Sequence, residues 1–371
     1  MKTRPPHTSV WGVGGLGCRV AELLTSRAGW SAPTLGLDGD SRALVCSELK
    51  NKLQLGPSLL DGEGAGADPE RGAAAVRESA AAVRRSLKGA DSLVLIAGLA
   101  GGIGAGAVLE IGRLAREEGV KPVVIGSGAF RLQGRAAFAR AARAAELLEK
   151  EGFPLLLLSP DRYLGGAGEV PAGESFKGSE RLLAAAAAAV VSFLTRSLPP
   201  GGSVRDLGDV FAPPRRLAAA VGEAEDVGGL VHALKRTQTM LNITVAEAAR
   251  TAGVLLALFS GSPVTLEDVN EGMECLGEAV PDAAARLLAA ASPGPEGGGV
   301  EIVLLAAFTP GEESRRPGAH RFQRGVAPRP AQTEINFEVL ERGKFAGTEP
   351  TLLEGEDLDI PTFIRRGESL D

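Results

Sequence analysis

Two glycine-rich turns carry the first chemical signal in this chain. "GVGGLG" spans Gly12 to Gly17, and "GLAGGIGAGA" spans Gly98 to Ala107, with five glycines between Gly98 and Gly106. Each follows an apolar run and precedes a helix-like stretch. A turn of this kind exposes amide N–H groups and the positive end of a helix dipole, so it can cradle phosphate. Neither contains G-x-x-x-x-G-K-[ST], which excludes a Walker-type ATPase, and the first matches G-x-G-x-x-G only loosely. A tight turn without a ligand is the competing reading of either one alone. A second chemical pair stands in "VRDLGD", where Asp206 and Asp209 could orient a water or bind a cation that does. Two aspartates three apart after a helix are otherwise a solvated loop or a cap. Asp38 and Asp40 follow a short apolar run near the first turn. They either coordinate a cation or simply end a strand.

These residues need a scaffold, and the chain alternates strand and helix signals along its first half. Strands are expected at Thr8–Val13, Ala32–Leu37, Leu93–Ala97, Pro122–Ile125 and Leu155–Leu158. Helices are expected after each glycine turn, over Arg71–Leu87 and over Ala136–Lys150. Asn51 to Pro69 reads as loop. Such alternation predicts a doubly wound, mostly parallel sheet with helices on both faces, and ligands bind such sheets at the carboxyl ends of the strands. Both turns lie there. A long apolar helix over about Glu174–Ser197 is stopped by "LPPGG". Beyond it the texture changes to a smaller α/β domain, with helices at Gly229–Met240 and Leu266–Leu276 and strands at Gly253–Phe259 and Val300–Phe308. The expected organisation is 1–197 with the long helix, a connector over 198–213, a second domain over 214–310, and a linker and tail over 311–371.

Composition narrows the class. The chain has 371 residues, 44% hydrophobic and 23% charged, with a net charge of -6. No basic stripe interleaves with aromatics, which argues against a nucleic-acid partner. Cys18, Cys46 and Cys275 are scattered and form no metal spacing or disulfide framework. No metal-ligand cluster is expected. The apolar stretch from Arg181 to Thr195 falls short of the roughly 18 residues of a membrane span, so a buried helix and a cytoplasmic protein are expected. A dinucleotide-binding dehydrogenase would use an acidic residue about 20 positions past the first turn, and Asp38 is nearly so placed. That reading leaves the second turn and the long helix without a role.

The ordered set "GVGGLGCRVAELL", "GEGAGADPERG", "GADSLVLIAGLAGGIGAGA", "GAFRLQGR", "LLLLSPDRYL", "SFKGSERLL" and "SVRDLGDV" resembles the FtsZ/tubulin family, nearest its bacterial and archaeal cell-division branch. The resemblance extends to a tail, "DLDIPTFIRR", similar to the peptide by which that branch docks on membrane-tethering partners. It implies a tubulin/FtsZ-like α/β fold, bound GTP or GDP with room for Mg2+, and head-to-tail self-assembly. Hydrolysis between subunits would place Asp206 and Asp209 as the water-activating pair. The nucleotide would be held by Gly14, Gly15, Leu16, Gly17, Cys18 and Arg19, by Gly66, Ala67 and Asp68, and by Gly101, Gly102, Ile103, Gly104 and Ala105. Gln133 would reach the ribose, Phe176 would pack on the base, and Glu180 would accept from guanine. An adaptor would bind through Asp357–Arg366.

The chain departs from the family pattern G-G-G-T-G-[TS]-G at both hydroxyl positions, which are Ile103 and Ala105. A hydrogen bond to a charged group is worth about 1.5–3 kcal/mol, so two lost donors weaken phosphate binding unless another group, such as Arg135, compensates. Arg19 stands where the family has a base-contacting Asn, and Pro160 where it has another. Gln133 replaces a Glu, and Ala137 an Arg. These departures keep a second possibility open: a filament or scaffold protein with weak or absent nucleotide turnover.

Overall fold

The computed structural model describes residues 7–160, 172–195, 216–225, 229–230, 232–234, 251–260, 262–279, 286–293, 299–308, 352–353 and 356–357. Its strands and helices in the first half are β1 (Thr8–Val13), α1 (Gly14–Thr25), β2 (Thr34–Asp38), α2 (Ser41–Cys46), β3 (Lys52–Gln54), α3 (Pro57–Leu60), α4 (Pro69–Glu78), α5 (Ala80–Leu87), β4 (Ser92–Gly98), α6 (Gly102–Glu117), β5 (Lys121–Ser127), α7 (Gly134–Lys150) and β6 (Leu155–Leu158). The long helix α8 covers Ala172–Thr195, followed by β7 (Arg216–Ala224), β8 (Thr251–Ser260), α9 (Leu266–Ala279), β9 (Arg286–Pro293) and β10 (Val300–Phe308).

Strand order in the main sheet is β3-β2-β1-β4-β5-β6-β7-β10-β8-β9. From β3 to β7 every pairing is parallel, whereas β10 runs antiparallel to both β7 and β8. The order in which strands are added reverses between β1 and β4, the point where such sheets open a crevice for ligands. Both faces are covered, so β1 is buried at every position, as expected for parallel strands. Helices α1 and α8 cover one face. On the other, α4 to α7 pack over Trp11, Leu37, Leu93 and Leu95.

The sheet continues past the border expected after α8, because Leu155 and Leu156 of β6 pair with Arg216 and Leu217 of β7. Helix α8 explains the continuity. Its run Ala184–Ala189 is at most 3% exposed, and side chains that stop at Cβ let the helix approach strands closely. One core therefore runs beneath it from Val10 and Val94 to Val303 and Leu305. A 20-residue segment of this helix, Phe176–Thr195, is long and apolar enough to cross a membrane, but its apolar stretch is 72% buried in this fold. The Arg27 guanidinium adds a second tie, pairing with Glu301 of β10 and lying 4.7 Å from the Phe259 ring of β8.

Several elements differ from the sequence expectation. The stretch Arg71–Leu87 is two helices that meet at Ser79, whose hydroxyl accepts the Gly56 amide. The region read as loop contains β3 and α3. Strands β7 and β9 had no sequence signal. Of the helix expected over Gly229–Met240, positions 229–230 and 232–234 are helical, and the rest lies outside the described residues. Residues 322–371 form a separate unit, in which Leu352–Leu353 and Glu356–Asp357 pair as a short antiparallel hairpin.

Two close fits set testable costs. A Cβ on Gly106 of α6 would lie 1.8 Å from the Pro69 carbonyl oxygen of α4. Gly106→Ala should destabilise by about 1–3 kcal/mol, read from the denaturant midpoint; an unchanged midpoint would contradict this packing. Asp38 is 5% exposed at the end of β2, and burial raises its carboxyl pKa above the ordinary carboxylate range. The folded carboxyl thus holds its proton more firmly than the unfolded one. Its contribution is most favourable below about pH 3.9, the usual Asp value, and is lost as pH rises through the folded value. Asp38→Asn, which can still accept the Asp40 amide, should melt above the parent at pH 7, with the gap closing in acid. An equal or lower midpoint at pH 7 would contradict the burial cost.

Candidate functional site

A cavity of about 580 Å3 opens at the carboxyl ends of β1 and β4, within the size range of small-molecule clefts. Both glycine turns line it. The first starts α1 directly after β1, with Gly14 at a φ of +72° that only glycine adopts freely. Gly12 and Gly17 press backbone on backbone: a Cβ on Gly17 would sit 2.2 Å from the Ile96 carbonyl oxygen. Helix geometry leaves the amides of Gly14, Gly15 and Leu16 without an intrahelical acceptor.

The second turn starts α6 after Gly98, and here some amides are already used. The Gly101 amide donates to Gly98 O at 3.3 Å, and the Gly102 amide donates to Gly66 O at 3.0 Å. Ala105 is inside the helix, donating to Gly101 O. Ile103 and Gly104 remain in the uncapped first turn. The loop Gly64–Gly66 is thereby pinned to the second turn and forms part of the same wall. Arg140 of α7 braces the turn from behind, its Nε donating to Ala100 O at 2.9 Å.

The expected contacts divide into three groups. Gly14, Gly15, Leu16, Arg19, Gly66, Gly101, Gly102, Ile103, Gly104, Gln133 and Phe176 line the cleft. Gly17, Cys18, Ala67, Asp68, Ala105 and Glu180 do not. Cys18 is buried against Gly12 O and Leu37 O, and burial with neighbouring Asp38 pushes its thiol up to about 12. The Asp68 side chain caps α4, accepting the amides of Glu70 and Arg71. Asp206 and Asp209 lie outside the described residues.

Ile103 does more than lack a hydroxyl. Only 7% exposed, its side chain lies 3.6 Å from where a Gly14 Cβ would be and 3.0 Å from where a Gly39 Cβ would be. It plugs the seam between the first turn and the end of β2. The aromatic wall has two members: Phe176 meets Phe130 edge to face, with centroids 4.8 Å apart. Phe130 was not expected here, although it stands in "GAFRLQGR" just after a strand end. Gln133 closes that turn by accepting the Phe130 amide at 2.9 Å. Arg135 is exposed at the start of α7 and does not line the cleft.

Charge in the cleft is mixed. Asp40 caps α2 by accepting the Arg42 and Ala43 amides, and Asp38 accepts the Asp40 amide. Asp38 thus ends β2 and Asp40 caps α2; among the described residues no cluster of three or more His, Cys, Asp or Glu side chains could hold a metal ion. At the opposite end, near Phe176, Arg19 Nε pairs with Glu180 Oε1 at 2.6 Å.

Residues 8–151 match the family described as "Tubulin/FtsZ family, GTPase domain". The chain is 27% identical over 267 residues to "Cell division protein FtsZ 1" of Thermococcus kodakarensis, covering 71% of this chain and 70% of that one. It is 28% identical over 280 residues to "Cell division protein FtsZ" of Methanothermobacter thermautotrophicus, covering 74% and 72%. In fold it is similar to an empty FtsZ dimer from M. jannaschii, with a TM-score of 0.74, 21% identity, and coverage of 83% of this chain and 89% of that chain. It is also similar to a GTPγS-bound protofilament of CetZ2 from Haloferax volcanii, with a TM-score of 0.62, 20% identity, and coverage of 81% and 92%. The crevice between β1 and β4, with both glycine turns, thus lies within the stretch 8–151 that matches the Tubulin/FtsZ family GTPase domain, on a fold similar to that of FtsZ.

Proposed function

We propose that this chain binds GTP in the β1/β4 cleft, assembles head to tail, and hydrolyses the nucleotide between adjacent subunits, in cell division or a membrane-associated scaffold. The observation that carries this reading is the convergence of two uncapped helix starts, at Gly14–Leu16 and at Ile103–Gly104, on one cavity of about 580 Å3. GTP supplies the phosphoanhydride that is cleaved. The chain's own groups bind and orient it. Backbone amides of the two turns hold the phosphates by hydrogen bonds that need no side-chain hydroxyl. The Phe176 face, fixed by Phe130, packs on the base, and Arg19 with Glu180 supplies polar contacts there. Asp206 and Asp209, brought by a neighbouring subunit, orient the attacking water; phosphoryl transfer asks mainly for such positioning. The tail docks an adaptor by seating "LDIPTFI" in an apolar groove while Arg365 and Arg366 pair with acids.

A second reading draws support from Ile103. With its side chain buried between the first turn and Gly39, the phosphate end has less polar character than the family pattern implies. The chain would then be a filament scaffold with weak turnover.

Three experiments test the first reading. GTP should drive the protein into a sedimentable form with release of phosphate. Asp209→Ala should slow that release by roughly 100-fold, the lower end for loss of a water-activating group, while pelleting with GTP is kept. Parental turnover in the variant would overturn the role of Asp209, and absence of any GTP-dependent pelleting would overturn assembly. Deleting residues 350–371 should leave pelleting intact; its loss would count against a tail used only for docking.

A further inference from the structure

The residue expected to read the base does not face the cleft. Glu180 is absent from its lining, with a side chain 14% exposed, whereas Arg19 lines it and is 56% exposed. The ion pair explains why. Arg19 Nε takes one carboxylate oxygen at 2.6 Å, and of the pair it is the guanidinium residue that lines the cavity. Its Nη1 turns back toward the start of α1, 3.6 Å from where a Gly15 Cβ would be. Among the described residues, Nε to Glu180 is the side-chain hydrogen bond that Arg19 makes. The Nη edge is what remains for a ligand. Phe176 lines the same cavity, an aromatic surface 36% exposed and held edge to face by Phe130.

We infer that Arg19 is the specificity-determining residue of this cleft, reading a 6-oxopurine through its acceptor edge, and that Glu180 is a positioning residue that aims the guanidinium. This rests on the nucleotide reading above and changes the chemistry of recognition within it. A carboxylate reader accepts from the ring N–H and the 2-amino group of guanine. A guanidinium reader donates instead, and its forked N–H groups suit O6 and N7 as a bidentate pair. Adenine places a 6-amino donor at that edge and is rejected. Hypoxanthine keeps O6 and N7 and lacks only the 2-amino group, so the cleft cannot tell it from guanine.

Competition binding of GDP, IDP and ADP to the full chain, by displacement of a fluorescent guanosine diphosphate, separates the two chemistries. The parent should bind GDP and IDP within about threefold of each other and ADP at least about tenfold more weakly, the scale of one bidentate contact. Arg19→Ala should weaken GDP and IDP alike by about tenfold and bring both close to ADP. Arg19→Lys, which keeps the charge without the fork, should not restore the preference over ADP. Glu180→Gln should narrow the same preference. A parent that binds IDP tenfold more weakly than GDP would overturn the inference. So would an Arg19→Ala variant that binds GDP as tightly as the parent or more tightly, since Glu180 would then be reading the base. Equal binding of all three by the parent would also overturn it while leaving the nucleotide site in place. If none of the three binds at roughly 1 mM, a level that detects even very weak sites, the nucleotide reading itself falls and this inference with it.

Discussion

Where β1 and β4 end, main chain rests directly on main chain, and the cleft exists because of that contact. Any side chain on Gly17 would strike the Ile96 carbonyl, and one on Gly104 would place its Cβ 2.1 Å from the Gly98 carbonyl oxygen. The same holds on the far side, where Gly72 of α4 lies against the Gly102 carbonyl. These approaches seat α1 on two strands at once and fold α6 back over the end of its own strand. Two helix starts are thereby aimed at one volume, with their free amides toward it. Glycine is a conformational cost in a helix, and the chain accepts it here because no other residue permits the approach.

The same tightness accounts for what the side chains do. With phosphate contacts assigned to amides, the position of Ile103 is free to be apolar, and the residue fills the seam instead of donating into the cleft. Polar chemistry concentrates at the ends. Asp38 is buried beside Cys18, with both groups pushed toward their protonated forms. At the other end the Arg19–Glu180 pair joins α1 to α8, so the helix that begins at the first glycine turn and the helix that spans the whole sheet meet next to the aromatic wall. One end of the cleft is thus tied by charge to the long helix, which also packs on the second half of the sheet.

Much of this was legible from residue order. Strands β1, β6 and β10 match the apolar runs that announced them, and the two turns sit where ligands meet an α/β sheet. What escaped has physical reasons. "RLAAAVGEA" and "RLLAAASP" are alanine-rich and carry little β propensity; their neighbours in the sheet override it. Ser79 divides a periodic stretch because its hydroxyl is committed to the Gly56 amide, a contact made across 23 residues. In the cleft, residue type marked Arg19 as a departure at the base end and Glu180 as a base contact, but only the fold shows that they satisfy each other. Gly17, Cys18 and Asp68 belong to the right motifs and still point elsewhere, because within a turn the backbone that faces a ligand and the side chains that hold the turn are different residues. Phe130 and Arg140 were hidden for the opposite reason: their partners, Phe176 and the Ala100 carbonyl, are distant in sequence.

The central claim is that backbone amides of two glycine turns suffice to hold a guanine nucleotide when both hydroxyls of the second turn are gone. The direct measurement is the nucleotide content of freshly purified protein, released by denaturation and separated by chromatography. The account predicts guanine nucleotide, chiefly GDP, approaching one per chain. Protein that carries none, and that takes up none after incubation with GDP and removal of the excess, would contradict it.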